Sequence, residues 1–426
     1  MKDRRVVVTG LGVVAPNGTN VSVFKKAIRE GISGIQHIEQ LKYLNFSCQI
    51  AGKPLYKKDY LNKYFNSVQL KGLHASGLEY GVIAGIDAWK DAGLSLEKSD
   101  TPLWDSGVIF GTGILGVDKF REAIHKVDEG KVRRLGSNTV IQTMASGISA
   151  FLGGMLGCGN LVTTNSSACS TGAEAVLMAY DRIVSGKAEI ILAGSTSDSG
   201  PYVWGGFDAM RILPYKYNDN PAKASRPMSA SASGFVPGSG AGALVIESLE
   251  SAQKRGATIY AEILGGHVNS GGQRNGGSMT APNSDAVQRC IKKAIDNSEI
   301  HADDIDAING HLTATTKDPI EIQNWCEALC RKEADFPYIN SLKSLVGHCL
   351  AASGSIESVA TVLQLKENFI FGNINCEDLH PEIASMIHRD QIPTNTLDYS
   401  ANIIAKASFG FGDVNACVIF KKYNTI

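Results

Sequence analysis

The chain has 426 residues, 43% hydrophobic and 19% charged, with a formal net charge of −1. Near-neutrality, with no long Lys/Arg run and no basic–aromatic interleaving, excludes a dedicated nucleic-acid binder. No run of about 18 or more apolar residues is present to span a membrane. Nine cysteines at irregular spacing, in a chain long enough for a large core, point to free thiols in a reducing, cytoplasmic compartment.

Met1-Lys2-Asp3-Arg4-Arg5 ahead of Val6-Val7-Val8 has the charged start of a signal peptide. Gly10, Gly12, Pro16 and Asn17 break the apolar run at once, so a buried first strand over residues 6–8 is expected instead. Thr9-Gly10-Leu11-Gly12 reads as a turn without the full glycine spacing of a dinucleotide-binding loop. Further strands are predicted over residues 106–110, 161–164, 189–193 and 243–247, then 259–264, 305–309, 401–407 and 416–420. Helices are predicted between them, over 21–30, 77–92, 140–156, 285–297, 320–330 and 355–368. This alternation implies an α/β fold. A charged helical link near residues 248–256 divides it into two parts, residues 1–255 and 256–426.

Within the first part, Thr163-Thr164-Asn165-Ser166-Ser167-Ala168-Cys169-Ser170-Thr171-Gly172-Ala173 places a thiol where a short β-branched strand gives way to a helix of small residues, which Gly186 ends. Unpaired N–H groups in a first helical turn favour a thiolate, which makes Cys169 a candidate nucleophile; a buried packing cysteine is the alternative. In the second part, Asn309-Gly310-His311-Leu312-Thr313-Ala314-Thr315 follows an apolar strand, so His311 stands at a strand end, where α/β folds place functional groups. Taken alone, a strand-end histidine is more often an incidental loop residue. Lys343 and His348, in Ser341-Leu342-Lys343-Ser344-Leu345-Val346-Gly347-His348, enter an otherwise apolar segment. That suggests a buried polar site, since unpaired burial is costly; a surface lysine beside a core histidine is the alternative. Cys326 and Cys330 are spaced to share a helix face, but no second pair follows, so packing is expected rather than metal binding.

Together, Ser-Ser-Ala-Cys-Ser-Thr-Gly, Gly-His-Leu-Thr-Ala-Thr, Ser-Leu-Lys-Ser-Leu-Val-Gly-His and the late Ala-Ser-Phe-Gly-Phe-Gly resemble the β-ketoacyl synthases that act on acyl carrier protein. The resemblance runs from Val6 to Phe420. It implies a thiolase-like fold of two similar α/β halves in alternating helix and sheet layers, acting as an acyltransferase. In such enzymes an acyl chain held as a thioester on Cys169 is extended by decarboxylative Claisen condensation with a malonyl group. The implied partners are acyl- and malonyl-loaded carrier protein and a second copy of the chain, with a heterodimer as the variant. No cofactor and no metal is implied.

By the same resemblance, the Cys169 and Phe411 N–H groups form an oxyanion hole, and Phe411 is also the gate. His311 and His348 are the donor pair on the malonyl thioester. Lys343 supports the site with Glu321 as its partner, beside Asp318. Thr313 and Thr315 bind the pantetheine arm, and Ile114 closes the acyl pocket, as in the type II branch. A non-catalytic chain-length subunit is disfavoured because Cys169 and both histidines are present. A thiolase acting on coenzyme A is disfavoured because Cys417, inside the last strand, reads as packing.

The sequence departs from the usual family wording in Arg226-Pro-Met-Ser-Ala-Ser-Ala-Ser-Gly-Phe235 and Gly238-Ser-Gly-Ala-Gly242, where serine and alanine replace acidic residues. It departs again at Leu312-Thr313 and at Gly412-Asp413. Basic residues at the expected carrier-docking face near Lys71 and His74 are thinned, leaving Lys216 and scattered lysines. These changes fit a specialised condensing enzyme, making a polyene or pigment-like chain, better than a housekeeping one.

Overall fold

The computed structural model describes residues 4–96 and 99–424. One ten-stranded sheet runs through the molecule. Its strands are β1 (Val6–Val14), β2 (Ser106–Thr112), β3 (Val162–Thr163), β4 (Ile190–Ser197), β5 (Gly240–Ser248), β6 (Ala261–Ser270), β7 (Ala307–Asn309), β8 (Tyr338–Asn340), β9 (Ile403–Gly410) and β10 (Val414–Lys422). Their order is β8-β7-β9-β10-β6-β1-β5-β4-β2-β3. Outward from β1, the pairings are antiparallel to β5, antiparallel to β4, parallel to β2 and parallel to β3. Outward from β6, they run antiparallel to β10, antiparallel to β9, parallel to β7 and parallel to β8. The same pattern is thus written twice and joined by the antiparallel pairing of β1 with β6.

Helices α1 (Ser76–Asp91), α2 (Val117–Asp128), α3 (Thr171–Val184), α4 (Ser284–Ser298), α5 (Asp318–Leu329) and α6 (Ser353–Glu367) carry most of the packing relevant to the site. α1 lies on β1, β5 and β4, and α4 lies on β6 and β10. α3 and α6 pack on each other and against strands of both halves. Every residue of α6 from Ser353 to Leu365 is buried. A helix buried all round has no polar face, so its serines, Thr361 and Gln364 find hydrogen-bond partners inside the core.

Three expectations are corrected. Residues 9–12 are not a turn: β1 continues to Val14, with a register shift at Thr9. The glycines stand there because α1 presses on the strand. A Cβ on Gly10 or Gly12 would sit 2.2 Å from the Ala88 carbonyl oxygen or 1.9 Å from that of Ala84. The helix predicted over 140–156 is two helices, Thr139–Thr143 and Gly147–Leu156, since Met144 is extended (ψ 140°). Cys326 is buried on α5, whereas Cys330 caps its end in the left-handed region and is exposed, so the two do not share a face. Strand β8 lies outside the predicted set. Among the described residues, no helix is long and apolar enough to cross a membrane.

Candidate active site

Cys169 sits in a single 3-10 turn, Ala168–Ser170, that leads into α3. Ala168 takes a positive φ of 50°, a strained conformation for a residue with a Cβ. Side chains hold the turn in place: Thr171 Oγ1 accepts the Ser167 N–H and donates to the Ala168 carbonyl. Ser170 Oγ reaches the carbonyls of Ser408 and Val414, tying the nucleophile turn to both ends of the Phe411 loop.

The site assembles because α3 and α6 cross at glycines. A Cβ on Gly172 would lie 2.2 Å from the Ser355 nitrogen, and one on Gly354 would lie 2.5 Å from the Ala173 nitrogen. That close crossing sets the turn before α3, with Cys169, beside the segment before α6, with His348. The reactive atoms of Cys169, His311 and His348 all lie within 4.8 Å of one another. The two imidazoles meet edge to face at 5.4 Å between centroids.

The His348 tautomer follows from its neighbours. Its Nδ1 accepts the Leu350 N–H at 3.0 Å and lies 2.9 Å from Ser353 Oγ. A neutral ring whose Nδ1 accepts carries its proton on Nε2, so His348 is a hydrogen-bond donor. Burial, reinforced by the charges of Lys343 and Lys406, holds both histidines well below the ordinary imidazole range. Both are neutral at physiological pH.

Asp318 and Glu321, in the first turn of α5, cradle the loop that carries His311. Glu321 accepts the His311 and Leu312 N–H groups, each at 2.7 Å. Asp318 accepts those of Thr313, Ala314 and Met228. Burial pushes Glu321 up to about 7 and Asp318 up to about 6, against the pull of these N–H donors. Leu312 and Ala314 have positive φ, 21° and 62°, which this cradle sustains.

The partner expected for Lys343 is therefore corrected. Glu321 spends its oxygens on the backbone, and Lys343 instead pairs with Glu357 of α6 at 2.5 Å. The other Glu357 oxygen is 2.8 Å from the ammonium of Lys406 on β9. Sequence reasoning missed both Glu357 and Lys406. Their signal was a lone charge inside an otherwise apolar or small-residue run, Ile403-Ile-Ala-Lys406-Ala and Ser353-Gly-Ser-Ile-Glu357.

A second correction concerns the thiol. Burial raises Cys169 above the ordinary cysteine value; the Phe411 N–H and the Lys343 charge oppose this without outweighing it. Burial thus works against the thiolate expected from the helix start. Cys169, Phe411, Thr313, Thr315, Ile114 and both histidines line one cavity of about 830 Å³. The hydroxyls of Thr313 and Thr315 lie 3.1 Å apart on its wall. Phe411 is half-buried against Phe207, and Ile114 is largely exposed. Asp413, the departure in the Phe411 loop, is buried and accepts the N–H groups of Gln273 and Asn283 at 2.9 and 2.8 Å. A thiol and two imidazoles are also a donor set that suits a transition metal, and they are the one such trio among the described residues.

Residues 3–252 match the model of the beta-ketoacyl synthase N-terminal domain, and residues 260–377 match that of the C-terminal domain. The 3-oxoacyl-acyl-carrier-protein synthase 2 of Vibrio harveyi is 34% identical over 99% of both chains. The chloroplastic synthase I of Arabidopsis thaliana is 31% identical over 99% of this chain and 87% of its own. Among solved structures, a beta-ketoacyl synthase from Burkholderia phymatum superposes with a TM-score of 0.89 at 28% identity, covering 99% of this chain and all of that one. A type II polyketide ketosynthase, solved with its acyl carrier protein, gives 0.86 at 29% identity over 99% of this chain and 100% of its own. The chain belongs to the beta-ketoacyl synthase family, with its thiolase-like α/β fold, and is an acyltransferase of the condensing type.

Proposed function

We propose that Cys169 is the acyl-accepting nucleophile and that His311 and His348 are the donor pair for the malonyl group. The observation that carries this reading is the convergence of one thiol and two neutral imidazoles within 4.8 Å at the floor of the cavity. In the first half-reaction, Cys169 Sγ attacks the thioester carbonyl of an acyl-carrier, and the pantetheine thiol leaves with the proton. In the second, the malonyl thioester loses CO2, and the electron pair of the broken C–C bond forms an enolate whose oxygen accepts from the histidines. The enolate carbon attacks the Cys169 thioester, the oxyanion accepts the Cys169 and Phe411 N–H groups, and collapse expels the Cys169 thiolate. An imidazolium would instead quench the enolate by protonating carbon, so neutral histidines suit the step. Each essential oxyanion donor is worth roughly 3 kcal/mol in such a site.

Thr313 and Thr315 fit the pantetheine arm, with Ile114 and Phe411 at the acyl and malonyl sides of the cavity. The carrier docks beside the cleft of Lys71, His74, Lys119 and Lys126. A second copy of the chain covers the edge strand β3 and the exposed Phe120, Ile124 and Val127 on one face of α2. The chain divides into halves at residues 255 and 256, a division supported by the repeated strand pattern. Nine unpaired cysteines support a reducing, cytoplasmic setting. Arg226 pairs with Glu377 and Asp378; the specialised pathway rests on the serine and alanine that stand for acidic residues in the Arg226–Phe235 loop.

The test is mass spectrometry of Cys169 after incubation with acyl-carrier protein, followed by malonyl-carrier. The acyl adduct should form on the wild type and disappear in Cys169→Ala, together with ketoacyl product. Elongation by Cys169→Ala would reject the assignment. Elongation from acetyl-CoA alone would revive the thiolase reading.

A further inference from the structure

Strand β4 ends in Ser195-Thr196-Ser197, and its three hydroxyls are used differently. Ser195 Oγ donates to the Ala351 carbonyl and Thr196 Oγ1 to the Gly77 carbonyl, each at 2.7 Å. Ser197 Oγ only accepts, from the Ala352 N–H at 3.1 Å, and its own proton meets no acceptor among the described residues. The residue is 4% exposed and lines the cavity that holds Cys169. A buried hydroxyl with an unspent proton is costly, and an alanine would avoid that cost. The fold does not depend on the bond that Ser197 accepts, because the Ala352 N–H also reaches the Cys349 carbonyl at 3.0 Å. Its position gives the proton a use. Strands β2 and β4 pair in parallel with Thr112 opposite Thr196, so Ser197 stands beside the Gly113-Ile114 segment at the same end of the sheet. Its neighbours on that wall of the cavity, Ile114, Leu350 and Ala351, are apolar. The hydroxyls of Ser166 and Tyr202 also border the cavity, but both residues are exposed and solvent can take their protons.

We propose that Ser197 is a specificity-determining residue: it donates to a ketone oxygen carried on the acyl chain, so that the enzyme prefers oxo-acyl chains to saturated chains of the same length. The Ser197 oxygen is already engaged by the Ala352 N–H, so what the side chain offers is a donor. The complement of a lone donor is a carbonyl oxygen, which only accepts; a hydroxyl would bring a further proton to be placed. A methylene chain beside Ser197 leaves its proton unspent. An oxo chain satisfies that proton and brings its own carbonyl out of water onto a partner. This preference rests on the proposed acylation of Cys169, and it names the chemical class of the chain that arrives there.

The experiment measures the second-order rate constant for acylation of Cys169 in the full-length enzyme, read by mass spectrometry. The acyl donors are a saturated acyl-carrier of medium length and its mono-oxo isosteres, with the ketone moved outward from the γ-carbon so that thioester reactivity is unchanged. At least one oxo chain should acylate the wild type about tenfold faster than the saturated parent. In Ser197→Ala that ratio should fall to about one. Ser197→Cys keeps the shape but exchanges the hydroxyl for a weak donor, so most of the preference should go there too. A merely structural role would slow both kinds of chain together and leave the ratio where it was. A wild type that favours no oxo chain, or a preference that survives in either variant, overturns the proposal. So does failure of both variants to fold, which would make Ser197 a residue of stability alone. Failure of the underlying nucleophile reading shows separately, as the absence of any Cys169 adduct from saturated and oxo chains alike.

Discussion

Gly172 and Gly354 meet backbone to backbone where α3 crosses α6, and this contact brings Cys169 to His348. Both helices start at the crossing, so the turns that precede them face each other across the cavity floor. Any Cβ at either glycine falls on backbone nitrogen rather than on the end of a flexible side chain, so the helices themselves must move apart.

Gly172→Ala and Gly354→Ala should each lower stability by about 1–3 kcal/mol through overpacking. The larger effect is expected on acylation of Cys169, because a shift of the helices displaces the thiol from its oxyanion donors. Chemical denaturation with parallel acylation assays checks this. Wild-type acylation in a destabilised Gly172→Ala would show that the crossing does not position the site.

The corrected partners separate two carboxylates that look alike in sequence. Glu321→Gln replaces one acceptor of the His311 loop with an N–H donor facing another N–H, at a cost of about 1–3 kcal/mol. Glu357→Gln leaves two buried lysines without a counter-charge and should cost more, about 3–5 kcal/mol. Comparing the two by urea titration reads the difference directly. Equal losses would contradict the assignment.

Two pairs of buried groups give stability opposing pH slopes in the acid range. Glu321, at about 7 in the folded chain, holds a proton between about pH 4.3 and 7 that the unfolded chain does not. Its contribution is therefore lost as pH rises from about 4.3 to 7 and is constant above, and Asp318, at about 6, adds to that slope only below 6. Below about 6.5 the histidines act the other way, since unfolded imidazoles take up protons that buried His311 and His348 refuse. Denaturation midpoints across pH 4 to 8 measure the sum, and in Glu321→Gln stability should rise more steeply with pH between about 5 and 7; an unchanged profile would reject the raised carboxyl.

Asp413→Gly isolates the tie between the Phe411 loop and residues 271–283. Glycine accepts the positive φ of 62° at this position, so only the carboxylate and its two N–H partners are lost. Hydrogen exchange should quicken in both loops, with KM for malonyl-carrier altered and Cys169 acylation unchanged. Unchanged exchange at Gln273 and Asn283 would show that the carboxylate does not hold them.

Chelation should leave condensation unaffected, since each proposed step is carried by the thiol, the imidazoles and backbone N–H groups. Loss of activity in a strong chelator, regained with zinc, would reassign Cys169, His311 and His348 as metal ligands.

The nucleophile turn and the two histidine segments were legible because each is a local signal: polar or small residues at the end of an apolar strand, followed by a helix. Nine strands of the main sheet and most of its larger helices could be located from periodicity, though their ends moved and α2 (Val117–Asp128) was not among them. Three-residue β8 has too little pattern to be read. Gly10 and Gly12 misled because glycine marks a turn and a close helix contact with the same letter, and only the carbonyls of Ala84 and Ala88 distinguish them.

Local sequence alone determined the α/β alternation, the family wording and the candidate thiol and imidazoles, because side-chain period and short motifs are written over a few neighbouring residues. Tertiary structure decided that Lys343 answers to Glu357 rather than Glu321, that Lys406 joins them, and that burial pushes the Cys169 thiol up. Those outcomes depend on sheet register, on the crossing of α3 with α6 and on the removal of water, which bring together groups from distant parts of the chain.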